Sequence, residues 1–472
     1  MVAVGLVLFL SACRQSEQPG SAATAKPGLE DKPNVVLITL DTLRADHLGC
    51  YGYGPARTPN IDRFAASAVR FELAVTVSNN TFPSHAAMLI GKHPQSFGVP
   101  RNGFKLPPGN ATLATILKSQ GYETAAFVSA SVLESSMGLA PGFDVYDQAF
   151  DTREIDQVQR RASATTPAVM AWLKQRGAKP FFLWLHYFDP HYPYTPPAPY
   201  DDLFYPEYEG PADGSIEYLS GVAGVRGFPK HETSPEDFRR LVALYDGEIA
   251  FLDANLGPVF DLLAEEHHRQ RTVVVVVADH GESLTEHDYY FDHGEFTYQP
   301  SMHVPLIIRP LGYDAQKGSG VAAEQVETID IFTTVLAQVG LPVPAGTEGR
   351  DLTPLCRGEA GWVRKLCFGE GCRPWGVERM NPGAWANLGK CQFALDFPWK
   401  LILTPYKRAA ELYRLDLDPG ELHNVAREEG DVTRRLAEEA ERWRQRAIQA
   451  PGVQDPANMR KLRSLGYVGD DP

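Results

Sequence analysis

Asn34-Val35-Val36-Leu37-Ile38-Thr39-Leu40-Asp41 is a near-continuous apolar run that ends on a carboxylate. A strand without polar alternation is covered on both faces, so this stretch reads as a central strand of a mostly parallel sheet flanked by helices. Two further stretches repeat the pattern. Residues 181–185 are followed by His186, Asp189 and His191, and residues 273–278 by Asp279 and His280. In open α/β sheets, ligand sites form beyond the carboxyl ends of the strands. Three strand ends carrying Asp or His are hard to explain by packing and predict a polar site there.

A fourth stretch, Asn79-Asn80-Thr81-Phe82-Pro83-Ser84-His85-Ala86-Ala87-Met88, supplies a hydroxyl. Pro83 fits the first turn of a helix, where its missing N–H costs nothing, so Thr81 stands by the free amides and the positive helix end. An anionic ester settles in such a place, which makes Thr81 a candidate nucleophile. Taken alone, a Thr before a helix is usually only a cap.

Working outward, helical spacing of apolar residues predicts helices at 58–68, 113–117, 165–175 and 328–339, and strands at 124–129 and 304–308. A long helix over 234–266 is announced by a capping box, Ser234 with Asp237. The polar loop 281–299 is long enough to carry function. Beyond residue 355 the texture changes to short strands at 363–368, 392–395 and 400–404, then a charged helix at 431–449. The expected architecture is α/β: a large mostly parallel central sheet flanked by helices on both faces, plus a small C-terminal α+β subdomain with an antiparallel sheet. The expected division is a leader and tether at 1–32, a catalytic domain at 33–355 and the subdomain at 356–472.

With 472 residues the chain can bury an ample core, and its formal net charge of -14 argues against a nucleic-acid surface. An anionic group must then be held by a local positive centre, and metal ions supply one in an acidic protein. At the N-terminus, residues 4–10 are apolar but too few to span a bilayer, and a polar stretch rich in Ser, Pro, Ala and Gly follows. Leu10-Ser11-Ala12-Cys13 resembles a bacterial lipobox. That implies a lipidated Cys13 and a membrane-anchored lipoprotein of the cell envelope, facing the periplasm or exterior; a plain cleaved signal or a membrane-buried stub is the alternative. For Cys367, Cys372 and Cys391, one bridge or free buried thiols is expected in preference to a zinc knuckle.

Several ordered motifs together resemble the sulfatase family within the alkaline phosphatase superfamily. They are the 34–41 run, Thr58-Pro59-Asn60-Ile61-Asp62, Pro83-Ser84-His85-Ala86-Ala87, Ala278-Asp279-His280-Gly281-Glu282 and Val304-Pro305-Leu306-Ile307-Ile308-Arg309, with similar endings at 411–424 and 462–468. Sulfatases place a Cys or Ser where this chain has Thr81 and oxidise it to an aldehyde. The Cβ methyl of Thr81 allows at best a ketone, and His85 stands where that family has Arg. Thr81-Phe82-Pro83 with His85, extending to Asn102, instead resembles the nucleotide pyrophosphatase/phosphodiesterase branch, whose nucleophile is an unmodified Thr.

The resemblance implies a phosphoryl-oxygen contact for Asn102 and two divalent ions, zinc or manganese rather than calcium. One ion would be held by Asp41, Thr81, Asp279 and His280, the other by Asp189, His191 and His293. Asp189 and His191 are closer in sequence than in that branch, so direct contact of His191 with substrate is the other reading. The expected activity is metal-dependent hydrolysis of phosphodiester or phosphonate esters. The alternatives are a sulfuric ester hydrolase and a transferase passing a phosphoryl-bearing group to a glycan or lipid. The partners implied are a small-molecule, glycan or lipid ester and, through Cys13, the membrane.

Overall fold

The structure of the protein, a computed structural model, describes Met1 and residues 32–150, 159–225, 233–313, 320–363, 365–372, 390–405, 407 and 409–446. The lipobox with Cys13, the tether up to residue 31, the end of the helix expected at 431–449 and the 462–468 motif lie outside the described residues. No helix among those described is long and apolar enough to cross a membrane.

Fourteen strands are described. In chain order they are β1 (Asn34–Leu40), β2 (Val69–Val75), β3 (Glu123–Phe127), β4 (Val145–Asp147), β5 (Phe181–Tyr187), β6 (Gly224–Val225) and β7 (Thr272–Ala278). Then come β8 (Tyr289–Tyr290), β9 (His303–Arg309), β10 (Gly320–Glu327), β11 (Cys367–Glu370), β12 (Gln392–Asp396), β13 (Trp399–Leu403) and β14 (Glu411–Arg414). Eight of them form one sheet in the order β10-β2-β9-β7-β1-β5-β3-β4. All its pairings are parallel except those of β9, which runs against both β2 and β7.

The apolar runs do what unbroken hydrophobicity demands. Every residue of β1, β5 and β7 is buried, and the three lie adjacent at the sheet centre, with Val36 between Leu183 and Val274 in register. The long helix, Pro235–Ala264, starts at the expected capping box: the Asp237 amide donates to Ser234 Oγ at 3.1 Å and the Ser234 amide to Asp237 Oδ2 at 2.8 Å. Its apolar positions, among them Leu241, Leu244, Leu252, Leu256 and Val259, join the main core.

A four-stranded antiparallel sheet, β11-β12-β13-β14, forms the C-terminal unit. One of its faces places Phe393, Leu395, Ile402 and Tyr413 in a core shared with Val75 and Met302 of the main sheet region. The other places Ala394, Leu401 and Leu412 against Leu436 and Ala440 of the helix Gly430–Arg444. The first strand starts later than expected, because Val363 is 70% exposed and pairing begins at Cys367. Cys50, Cys356, Cys367, Cys372 and Cys391 are all free thiols, and all but Cys50 are buried.

Candidate active site

Leu40 and Ala278 are register partners at the ends of β1 and β7, so Asp41 and Asp279, each one residue further, arrive side by side. On the other flank Thr39 pairs with His186 of β5, whose Nε2 lies 3.3 Å from Asp41 Oδ2. The turn out of β1 is forced: Thr42 has φ 54°, a left-handed conformation that a β-branched residue adopts only under constraint. Tyr245 Oη holds it by donating to the Thr42 carbonyl at 2.8 Å, and the Thr42 amide reaches Asp279 Oδ1 at 3.3 Å. After His280 the chain needs glycine, since a Cβ on Gly281 would lie 2.0 Å from the Pro300 carbonyl oxygen.

What converges here is a set of acceptors. His280 Nδ1 donates to the Gly281 carbonyl at 3.0 Å, which leaves Nε2 as a bare lone pair. That nitrogen lies 3.4 Å from Asp279 Oδ2 and 3.8 Å from Asp41 Oδ1. Neither Asp41 oxygen nor Asp279 Oδ2 receives a hydrogen bond, and all three residues are fully buried. Burial pushes both carboxyls well above the ordinary range, the Asp41 charge adding to the effect on Asp279, and burial drives the His280 imidazole well down. A divalent cation reverses that balance, because it favours charged carboxylates and a neutral imidazole. One ligand atom from each residue lies within 4.8 Å of the others, and among the described residues this is the one group of three or more His, Cys, Asp or Glu so placed. Oxygen and imidazole donors together suit a transition metal.

Thr81 is the first residue of the helix Thr81–Ile90, with Asn80 in the cap position. Its hydroxyl therefore makes no cap bond; Oγ1 faces His280 Nε2 at 3.5 Å. His85, one turn on, donates from Nδ1 to the Thr81 carbonyl at 2.7 Å and lies 3.5 Å from Asp279 Oδ2. Asn102 is fixed on both sides. Its amide donates to Asn80 Oδ1 at 2.6 Å, and its Oδ1 accepts from the Phe82 amide at 2.8 Å. That leaves the Asn102 Nδ2 donor buried and without a partner beside the helix start.

The residues expected to hold a second ion do not all meet. His293 and His191 come together, with ring centroids 5.2 Å apart, and His293 lies 4.4 Å from the His280 ring. Asp189 does not gather with them: among the described residues the ligand atoms of these three do not all lie within 4.8 Å of one another. Asp189 Oδ2 accepts from the Ala162 amide at 2.8 Å, at the start of the helix Ala162–Gln175, and its other neighbours are Glu248 and the Arg161 guanidinium. A free helix-start amide and a cation hold the carboxylate, so Asp189 also anchors the start of that helix to the end of β5.

Glu282 is the residue that motif reading passed over. Fully buried, it accepts from His293 Nδ1 at 3.0 Å and from Tyr194 Oη at 3.2 Å, which fixes the His293 ring and leaves its Nε2 as the acceptor. Its place directly after Asp279-His280-Gly281 was the available signal.

The sulfatase family model matches residues 33–341. An ulvan-active sulfatase of Formosa agariphila is 28% identical over 351 residues, covering 69% of this chain and 65% of that relative. A multifunctional alkaline phosphatase superfamily protein of Trinickia caryophylli is 26% identical over 399 residues, covering 68% of this chain and 77% of that protein. The phosphonate monoester hydrolase of Agrobacterium radiobacter shares the fold, with a TM-score of 0.72 and 24% identity over 88% of this chain and 96% of that one.

Proposed function

The chain belongs to the sulfatase family of the alkaline phosphatase superfamily, a family of ester-bond hydrolases, and from that premise we propose that it cleaves phosphodiester or phosphonate esters with an unmodified Thr81 as nucleophile. The observation that carries this reading is the Thr81 hydroxyl at a helix start, 3.5 Å from His280 in a nest of unsatisfied acceptors. A divalent ion bound by Asp41, Asp279, His280 and Thr81 would supply the positive charge that lowers the hydroxyl's pKa and balances the ester's anion.

Thr81 Oγ attacks phosphorus, forming a Thr–O–P bond as the ester oxygen leaves as an alcohol or phenol. Water then attacks the same phosphorus and returns the threonine hydroxyl. Asn102 Nδ2 is the donor for a nonbridging oxygen, and because its partner oxygen is tied to the Phe82 amide it needs no reorganisation to act. His85 and Glu282 fix the Thr81 carbonyl and the His293 ring respectively. Sulfate-ester cleavage by the aldehyde route is disfavoured by the Cβ methyl of Thr81, although several relatives are sulfatases by name.

The test is a side-by-side assay of a bis-aryl phosphate, an aryl phosphonate, an aryl phosphate monoester and an aryl sulfate on one metal-loaded preparation. The diester or phosphonate should dominate, Thr81→Ala should lose roughly a thousandfold in rate, and Thr81→Ser should retain part of it. A dominant sulfate rate, or Thr81→Ala at wild-type speed, overturns the reading. Elemental analysis should find about one transition-metal ion per chain. Stoichiometric calcium alone would sink that expectation, and two ions would mean that His191 and His293 complete a second site.

A further inference from the structure

Two histidines flank Asp41, and only His280 has a role in the reading above. His280 Nε2 lies 3.8 Å from Asp41 Oδ1, while His186 Nε2 lies 3.3 Å from Asp41 Oδ2, so the two carboxylate oxygens face different rings. By distance alone His186 is the better candidate ligand. Proton placement separates the two. His280 carries its proton on Nδ1, directed at the Gly281 carbonyl at 3.0 Å, and its Nε2 is a lone pair. In His186 the order is reversed. Its Nδ1 accepts from the Ser129 amide at 3.2 Å, so Nδ1 bears no proton, the ring is neutral, and the N–H is on Nε2 beside Asp41 Oδ2. A ring nitrogen that bears a proton is a donor and does not ligate a cation. His186 also lies outside the group formed by Asp41, Asp279 and His280.

The fold builds this arrangement across three adjacent strands. Thr39 of β1 and His186 of β5 are register partners, and the ladder continues one step, the Asp41 amide donating to the Tyr187 carbonyl at 3.0 Å. Asp41, two residues on from Thr39, therefore shares a sheet face with His186. Ser129 follows β3, the next strand out. It is held on both sides: its carbonyl accepts from the Arg160 amide at 2.9 Å, and its hydroxyl pairs with Thr165 Oγ1 at 2.8 Å. Ser129, His186 and Asp41 are all fully buried. At 3.3 Å the contact of Nε2 with Oδ2 is longer than a formed hydrogen bond; the attraction is that of a ring N–H dipole for a carboxylate, strengthened by the low dielectric of a buried site.

We propose that His186 is a positioning residue for the metal centre: kept in the Nε2–H form by the Ser129 amide, it orients Asp41 through Oδ2 and leaves Oδ1 to the ion without itself becoming a ligand. The inference rests on the reading of Asp41 as a metal ligand and is independent of which ester is cleaved.

The test is zinc binding by the full chain against a competing chelator, which reads affinity without activity. His186→Phe keeps a ring in place and removes the N–H, and it should weaken the zinc Kd about tenfold. His186→Gln should stay within about threefold of wild type, because its terminal amide returns an N–H near the Nε2 position. Wild-type affinity in a folded His186→Phe, or equal losses in the two variants, overturns the proposal. Should either variant unfold, ring-nitrogen NMR of histidine-labelled wild type decides. His186 should show a protonated Nε2 and a bare Nδ1 both before and after zinc is added, whereas His280 should show the reverse order and respond at Nε2. A protonated Nδ1 on His186, or loss of its Nε2 proton when zinc binds, overturns the proposal. Wild type that takes up no transition metal would bring down the reading of Asp41 as a ligand and this inference with it, an outcome distinct from wild-type affinity in His186→Phe.

Discussion

Two buried carboxylate clusters stand at the ends of neighbouring strands, and they behave in opposite ways. At β1 and β7, Asp41 and Asp279 face each other with His280 and present oxygens that no donor satisfies. Past β5, Asp189 and Glu248 are equally buried, yet the Ala162 amide and Arg161 supply donors to them. Composition alone does not tell these clusters apart, since both join acids at a strand end. The difference is whether the protein itself meets the acceptors. A cluster left unmet is built for something brought from outside, and a cluster that is met holds elements together.

The sharpest way to break that contrast is Asp279→Asn. It should remove the bound transition metal and with it essentially all activity while the chain stays folded; a variant that still copurifies with a stoichiometric ion would erase the distinction. In metal-stripped protein the sign should invert. Asp41→Asn should raise the melting temperature, by roughly 2 °C, because it relieves the mutual disfavour of two buried acids. A lower melting point in the stripped state would mean that the acids are satisfied after all.

Asp189→Ala should do the reverse: keep the metal but lose about 1–3 kcal/mol of stability in urea titration by stranding the Ala162 amide. Loss of an ion from this variant would restore Asp189 as a ligand. The smallest effect is a pH dependence. Burial, then the neighbouring Asp189 charge, pushes Glu248 up to about 8 from its ordinary 4.5. A folded-state value above the unfolded one adds stability that is full below about 4.5 and is lost as pH rises through about 8. Wild type should therefore lose urea resistance across that window relative to Glu248→Gln, and parallel curves for the two would refute it.

The fold was readable where hydrophobicity was unbroken. β1, β5 and β7 are covered on both faces, so neither periodicity nor length left a rival reading. β2 and β10 escaped because they alternate, with Glu72, Val321 and Ala323 exposed, and because their partners are distant in sequence. The reversal at β9 carries no composition signature at all. At the site, Asp41, Thr81, Asp279 and His280 converge because register alone brings two strand ends together and a helix start faces them. The second expected ligand set does not assemble around Asp189 among the described residues, because sequence fixes that it follows β5 but not which way the turn after β5 aims it. That direction is set by an amide 27 positions earlier in the chain.

The five free thiols have a practical consequence. With no covalent cross-link among them, the redox poise of the surroundings is not a folding variable for the described core. Reductant should leave its melting temperature unchanged, and the core can be produced in a reducing cytosol as readily as in an oxidising compartment. Alkylating reagents should find Cys50 first, since the other four are shielded until the chain opens. The modification rate of those four then reports global opening, which gives a direct kinetic handle on a protein whose activity need not be measured to follow it.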